Sequence, residues 1–177
     1  RQNRYAMTLS KDVITLLTED HEDVLSMLEE FEAMRDGLRI HKQKLVQAIC
    51  KSVRIHSQLE RELLFPTVRE SLGDASLVED ALDVHAKTEA LVSQLCNTDP
   101  DDEFYDAKVH ALAEPLHQHI KHEEIKIFPE IRQLEIDLLA LSNNLMEQRF
   151  KLERPPAKKA AVVSINRHPK FSIAEAC

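Results

Sequence analysis

Two glycines among 177 residues are too few for the hairpins and bulges of an all-β protein of this length. A composition of 43% hydrophobic and 31% charged residues builds and coats one domain, or one domain with a tail, and excludes a wholly disordered chain. A net charge of −8 opposes non-specific binding to nucleic acid or an anionic membrane, and no apolar run approaches the roughly 18 residues of a membrane span.

Residues 1–9 precede the first periodic segment and carry no apolar stretch of the signal-peptide kind, so they read as a short extension, natural or left from expression. Ser10 can cap a first helix whose apolar positions Val13, Ile14, Leu16, Leu17, Val24, Leu25, Leu28 and Phe31 recur at three- and four-residue steps. Gly37 suits the left-handed position that closes it. A second helix runs from about Leu38 to Leu72, with Gly73 as its stop, and a third from about Ser76 to Cys96. Asp99 and Pro100 then look like the cap and first residue of a fourth, starting near Asp101.

Pro115 and Pro129 lie inside that fourth pattern, where each removes a backbone donor and predicts a kink. The stretch Glu130 to Phe150 is helical in pattern, as a continuation or a fifth helix. Beyond Pro155-Pro156 the periodicity fades, which predicts an extended or disordered tail over 151–177. Short connections between the helices imply an all-α, up-down-up-down antiparallel four-helix bundle over 10–150, with a C-terminal helical extension. Three cysteines, Cys50, Cys96 and Cys177, are odd in number and lack CxxC spacing, which favours free thiols in a reducing cytoplasm.

The histidines carry the functional signal. The second helix contains His56, Glu60 and Phe65-Pro66; the fourth contains His119, Glu123 and Phe128-Pro129, each 63 residues later. His21 on the first helix and His85 on the third extend the repeat. Residues four apart on a helix share a face, so each His-x-x-x-Glu pair can aim a nitrogen and a carboxylate at one point. One such histidine is usually an ordinary buried or boundary residue. The joint repeat in four helices argues instead for four imidazoles and two carboxylates around a pair of first-row metal ions, bridged by Glu60 and Glu123.

On His21, His56, Glu60, Leu64-Phe65-Pro66, His85, His119, Glu123 and Ile127-Phe128-Pro129, the chain resembles the hemerythrin-like (HHE cation-binding) domain family over about 10–150. Its pattern is similar to the bacterial stand-alone members. The resemblance implies a non-haem di-iron centre with an oxo or hydroxo bridge, manganese or zinc being alternative occupants. Oxygen-carrying members have a fifth histidine where Glu89 stands here, and an aspartate five residues after the fourth-helix histidine where Glu123 comes after four. The symmetric set leaves an open or water-filled position at each ion, which favours redox chemistry on peroxide, oxygen or nitric oxide over oxygen transport. The competing readings are a sensing or storage module without turnover, and a regulatory protein with a structural metal and a partner docked through the tail.

Glu89, one turn beyond His85, is an additional candidate: a ligand, a proton relay or a merely solvated carboxylate. His117 and His122 lack a carboxylate four residues on and read as surface residues. His41, His110 and His168 have no partner at ligand spacing. Glu62 and Glu124 follow the ligand acids and are expected to face elsewhere, and Tyr5 and Tyr105 fall outside the ligand register. Cys50 and Cys96 are expected to be buried small hydrophobes. Phe65 and Phe128 are expected to pack at the end of the site.

Overall fold

The computed structural model describes residues 11–34 and 37–154. Ser10, the tail beyond residue 154, and with them Tyr5, His168 and Cys177, lie outside those residues. Among the described residues there is no strand. The long helices are α1 (Val13–Ala33), α2 (Arg39–Leu59), α4 (Ser76–Cys96), α5 (Tyr105–His122) and α7 (Leu138–Glu153). Two single turns, α3 (Phe65–Val68) and α6 (Phe128–Ile131), follow α2 and α5 through short π-helical segments, Glu60–Leu64 and Glu123–Ile127.

Helix ends follow local chemistry. Asp12 caps α1 by accepting from the Thr15 amide at 2.8 Å. Gly37 does not adopt the expected left-handed conformation; an added Cβ would lie 2.9 Å from the Met34 carbonyl oxygen, so the glycine serves a close backbone approach. α5 starts at Tyr105, four residues after the expected Asp101. The Asp99 and Asp102 carboxylates accept from the amides of Asp101 and Phe104, at 2.9 and 2.8 Å, and these turns delay the helix. Pro115 sits within α5 without ending it. A break after Arg132, with Asp137 capping α7 through the Leu139 and Ala140 amides, makes the last segment a separate helix.

α1 packs on α2, α2 on α4, α4 on α5 and α5 on α1, while α7 lies against α1 and α2. Two apolar clusters fill the interior. One gathers Val13 to Leu17, Leu59, Leu64, Phe65, Val78, Ile127, Phe128 and the α7 residues Leu141 and Leu145. The other gathers Val24, Leu28, Phe31, Ile49, Val53, Val92, Leu112 and Leu116. α1 and α4 run from the first cluster to the second, and α2 and α5 run back. Each helix therefore crosses the boundary between the clusters once, and its histidine stands there. Cys50 is buried as expected; Cys96, at the end of α4, is exposed instead. No described helix is long and apolar enough to cross a membrane.

Candidate metal centre

Between the two apolar clusters lies a buried polar layer of His21, His56, Glu60, His85, His119 and Glu123, none more than 7% exposed. All six expected residues meet there. The Nε2 atoms point inward. His56 and His85 bring theirs to 3.1 and 3.2 Å from the same oxygen of Glu60. Glu123 presents one oxygen to His21 at 3.2 Å and the other to His119 at 3.2 Å, so a single carboxylate faces both histidine pairs. Glu60, His85, His119 and Glu123 form one group whose ligand atoms could hold a metal ion; His21, His56 and Glu123 form a second.

The π-helical segments explain how each acid stays in the layer. Pro66 and Pro129 have no N–H, and their rings collide with the carbonyl four residues back in a plain α-helix. One widened turn precedes each proline, closed by the Phe65 amide on the Glu60 carbonyl and the Phe128 amide on the Glu123 carbonyl. The widened turn keeps the glutamate, the residue four on and the phenylalanine all buried. Phe128 then stacks on His21 at 5.6 Å between centroids, and Phe65 on His85 at 5.7 Å, so each ring supports the first histidine of the other repeat unit.

Three observations fit a cation. All four carboxylate oxygens of Glu60 and Glu123 are buried without a well-directed hydrogen bond, although imidazole nitrogens lie close by. The nitrogens and oxygens of each group converge, all lying within 4.8 Å of one another. The Nε2 atoms of His21 and His56 are 3.1 Å apart, and those of His85 and His119 2.8 Å. Two imidazole nitrogens at about 2.1 Å from one ion, set near a right angle, are separated by about 3 Å.

Charge in the layer is shared unevenly. Burial works against the charged form of His56, but the Glu60 carboxylate, the Asp20 hydrogen bond and the nearby Glu123 carboxylate hold its pKa well above the ordinary value. Burial likewise opposes ionisation of Glu60, yet the neighbouring His56 charge keeps that carboxyl well below its usual range. Burial and the Glu60 charge push Glu123 upward; the close imidazoles of His21 and His56 reverse this and leave it lowered. His119, at the position equivalent to His56, is pushed down by burial to about 4.

The outward Nδ1 atoms explain much of the difference. His56 Nδ1 donates to Asp20 at 3.3 Å, and Asp20 is gripped by both Arg149 guanidinium nitrogens at 2.5 Å. His21 Nδ1 donates to Glu124 at 2.9 Å, so Glu124 does not face elsewhere as the sequence suggested. The repeat places Val84 where Asp20 stands and Arg61 where Glu124 stands. His85 Nδ1 is accordingly buried with no partner. Glu89 lies outside both groups: its side chain is 37% exposed and accepts from Arg61 at 2.5 Å, as for the solvated carboxylate among its expected roles.

A cavity of about 20 Å³ opens on one side of the layer, between the four histidines and Val24, Val53, Leu116, Ile120 and Thr88. About 10–15 Å³ suffices for one water-sized molecule. Thr88, three residues after His85, is buried with an unpartnered hydroxyl, and sequence reasoning missed it. The larger hollow of about 370 Å³ lies at the Tyr105 end, where its cations Arg39 and Lys42 are already paired with Asp101 and Asp106. Of the remaining histidines, His41 is exposed, His110 pairs with Glu32 and His117 with the Ala113 carbonyl. His122 is half-buried with an unpartnered Nε2.

A helical fold with a buried histidine–carboxylate layer defines a cation-binding helical domain. Residues 12–131 match the Hemerythrin HHE cation binding domain family, and the chain belongs to it. A solved structure of a hemerythrin HHE cation-binding domain-containing protein from Mycobacterium kansasii superposes with a TM-score of 0.68 at 16% identity, covering 80% of this chain and 87% of that one. A protein of Nostoc sp. described as a DNA nickase is 27% identical over 122 residues, 69% of this chain. The chain spans 33% of that relative's length.

Proposed function

We propose that His21, His56, His85 and His119 are terminal ligands and Glu60 and Glu123 bridging ligands of two non-haem iron ions. The helices form an up-down-up-down bundle around them. The centre takes oxygen, peroxide or nitric oxide, with consumption of peroxide as its main chemistry. When bound, such a pair of ions supplies two one-electron redox steps and open coordination positions. The chain's own residues do the rest. The two apolar clusters exclude water, Phe65 and Phe128 fix the ring planes of His85 and His21, and the Thr88 hydroxyl offers a hydrogen bond inside the cavity beside the histidines. The observation that carries this reading is Glu123, whose two oxygens each face a different histidine pair.

The test is anaerobic loading of purified chain with ferrous iron, followed by air and then peroxide. Two irons per chain, a near-ultraviolet oxo-to-iron band and peroxide consumption abolished by His56→Ala are expected. Fewer than one iron per chain without that band would refute the assignment.

A second reading, a sensing or storage module without turnover, is favoured by the length of the nickase relative, in which the matched part is a minor share. An adduct that forms and releases with no peroxide consumed would select it. Capture of a protein partner by the full chain, lost on removing residues 155–177, would select a regulatory role. No nucleic-acid cleavage is expected of this chain at a net charge of −8, and a plasmid-nicking assay with metal-loaded protein checks that directly.

A further inference from the structure

We propose that Arg149 is a positioning residue that acts through Asp20 on His56, so that the His21/His56 position is the tighter of the two metal positions. The inference rests on the metal reading given above. α7 lies beyond the residues 12–131 that match the family, yet it is wired into the layer. Leu141 and Leu145 anchor it in the first apolar cluster, and Arg149 follows Leu145 by one turn on the same face.

The Arg149 fork meets the Asp20 carboxylate two-to-two, both N···O distances being 2.5 Å. The pair is only partly accessible, at 26% and 16% exposure. Asp20 is thereby held in one orientation, with Oδ2, which also accepts from Arg149, turned toward His56 Nδ1. A histidine whose outer nitrogen donates to a carboxylate has its ring plane and tautomer fixed and its inner nitrogen made more basic. His21 gains the same support from Glu124. In the other half, Val84 and Arg61 offer no acceptor, and His85 Nδ1 is orphaned. Identical ligands on a shared carboxylate are thus supported on one side only.

The experiment titrates the full chain with cobalt(II), following the visible absorption of bound ion and the heat of binding for wild type, Arg149→Ala, Arg149→Lys and Asp20→Asn. Loss of such support costs about 10- to 100-fold in metal affinity. One uptake step should weaken by that factor in Arg149→Ala and in Asp20→Asn, while the other stays within about twofold. A further variant that combines Arg149→Ala with Asp20→Asn should be no worse than the worse single one, because both changes cut the same relay. Arg149→Lys should fall between, since an ammonium cannot reproduce the fork. Unchanged steps, equal weakening of both, or strictly additive effects would overturn the inference. A wild-type chain that takes up no cobalt at all would instead sink the metal reading itself.

Discussion

The two repeat units present the same ligands to the layer and differ in what stands behind them. Around His21 and His56 the outer nitrogens meet Glu124 and Asp20, and the His56 pKa is held well above its ordinary value. Around His85 and His119 the equivalent places are Arg61 and Val84, and burial drives His119 down to about 4. The cavity is uneven as well, with the Thr88 hydroxyl opposite Val24 at the matching position. The two helix pairs match in their inner contacts and differ one residue further out. On the proposed reading, metal affinity and ligand orientation are set at that second distance, where no motif requires a particular residue.

Breaking what the halves share has the largest effect. Glu123→Ala removes the carboxylate that faces both histidine pairs, so metal content should fall to background. It also strands buried imidazolium charge, and urea unfolding should report roughly 3–5 kcal/mol of lost stability. Glu60→Ala should likewise lose metal and destabilise the bundle; retained iron would refute its bridging role. Removing the unpartnered hydroxyl that lines the cavity comes next. Thr88→Val should weaken azide binding to the iron-loaded chain about fivefold to tenfold, the worth of one hydrogen bond, with metal content unchanged.

Building the missing support sharpens the contrast from the other side. Val84→Asp gives His119 Nδ1 an acceptor and should tighten the weaker cobalt step by about tenfold, leaving the stronger one in place. The smallest effect lies at the helix starts. α1 has the Asp12 side-chain cap, whereas Ala75 gives α4 none. Asp12→Ala should cost about 1 kcal/mol by urea unfolding. Burial would raise the Asp12 pKa, but the Thr15 amide and Arg132 lower it. Its stabilisation is therefore complete above the unfolded pKa and disappears as pH falls through the folded one, so variant and wild type should converge in acid.

Much of this was legible in the chain. Helical periodicity marked the long helices, and the repeat at 63 to 64 residues picked four of nine histidines and two glutamates that the fold brings together. The π-helical turns were not legible, because a reading in steps of three and four has no place for a wider turn. Their trace was Phe-Pro in the same register after each glutamate. Arg149 and Glu124 were missed because their partners lie 129 and 103 residues away, a relation no local spacing encodes. Aligning the two units would have exposed the mismatches Asp20 with Val84 and Glu124 with Arg61. Glu89 misled because it shares a helix face with His85, yet the nearer cation, Arg61, claims it.

The separation of the interior into two apolar clusters has one more consequence. Each cluster joins the ends of several helices without help from the layer between them, so the scaffold is expected to close before any ion arrives. Zinc fingers stand at the opposite extreme, since they fold around their ion. Here the ions would enter a finished container, and the rate of loading should follow the frequency with which neighbouring helices part. Chelation should then return an empty, folded chain that can be refilled.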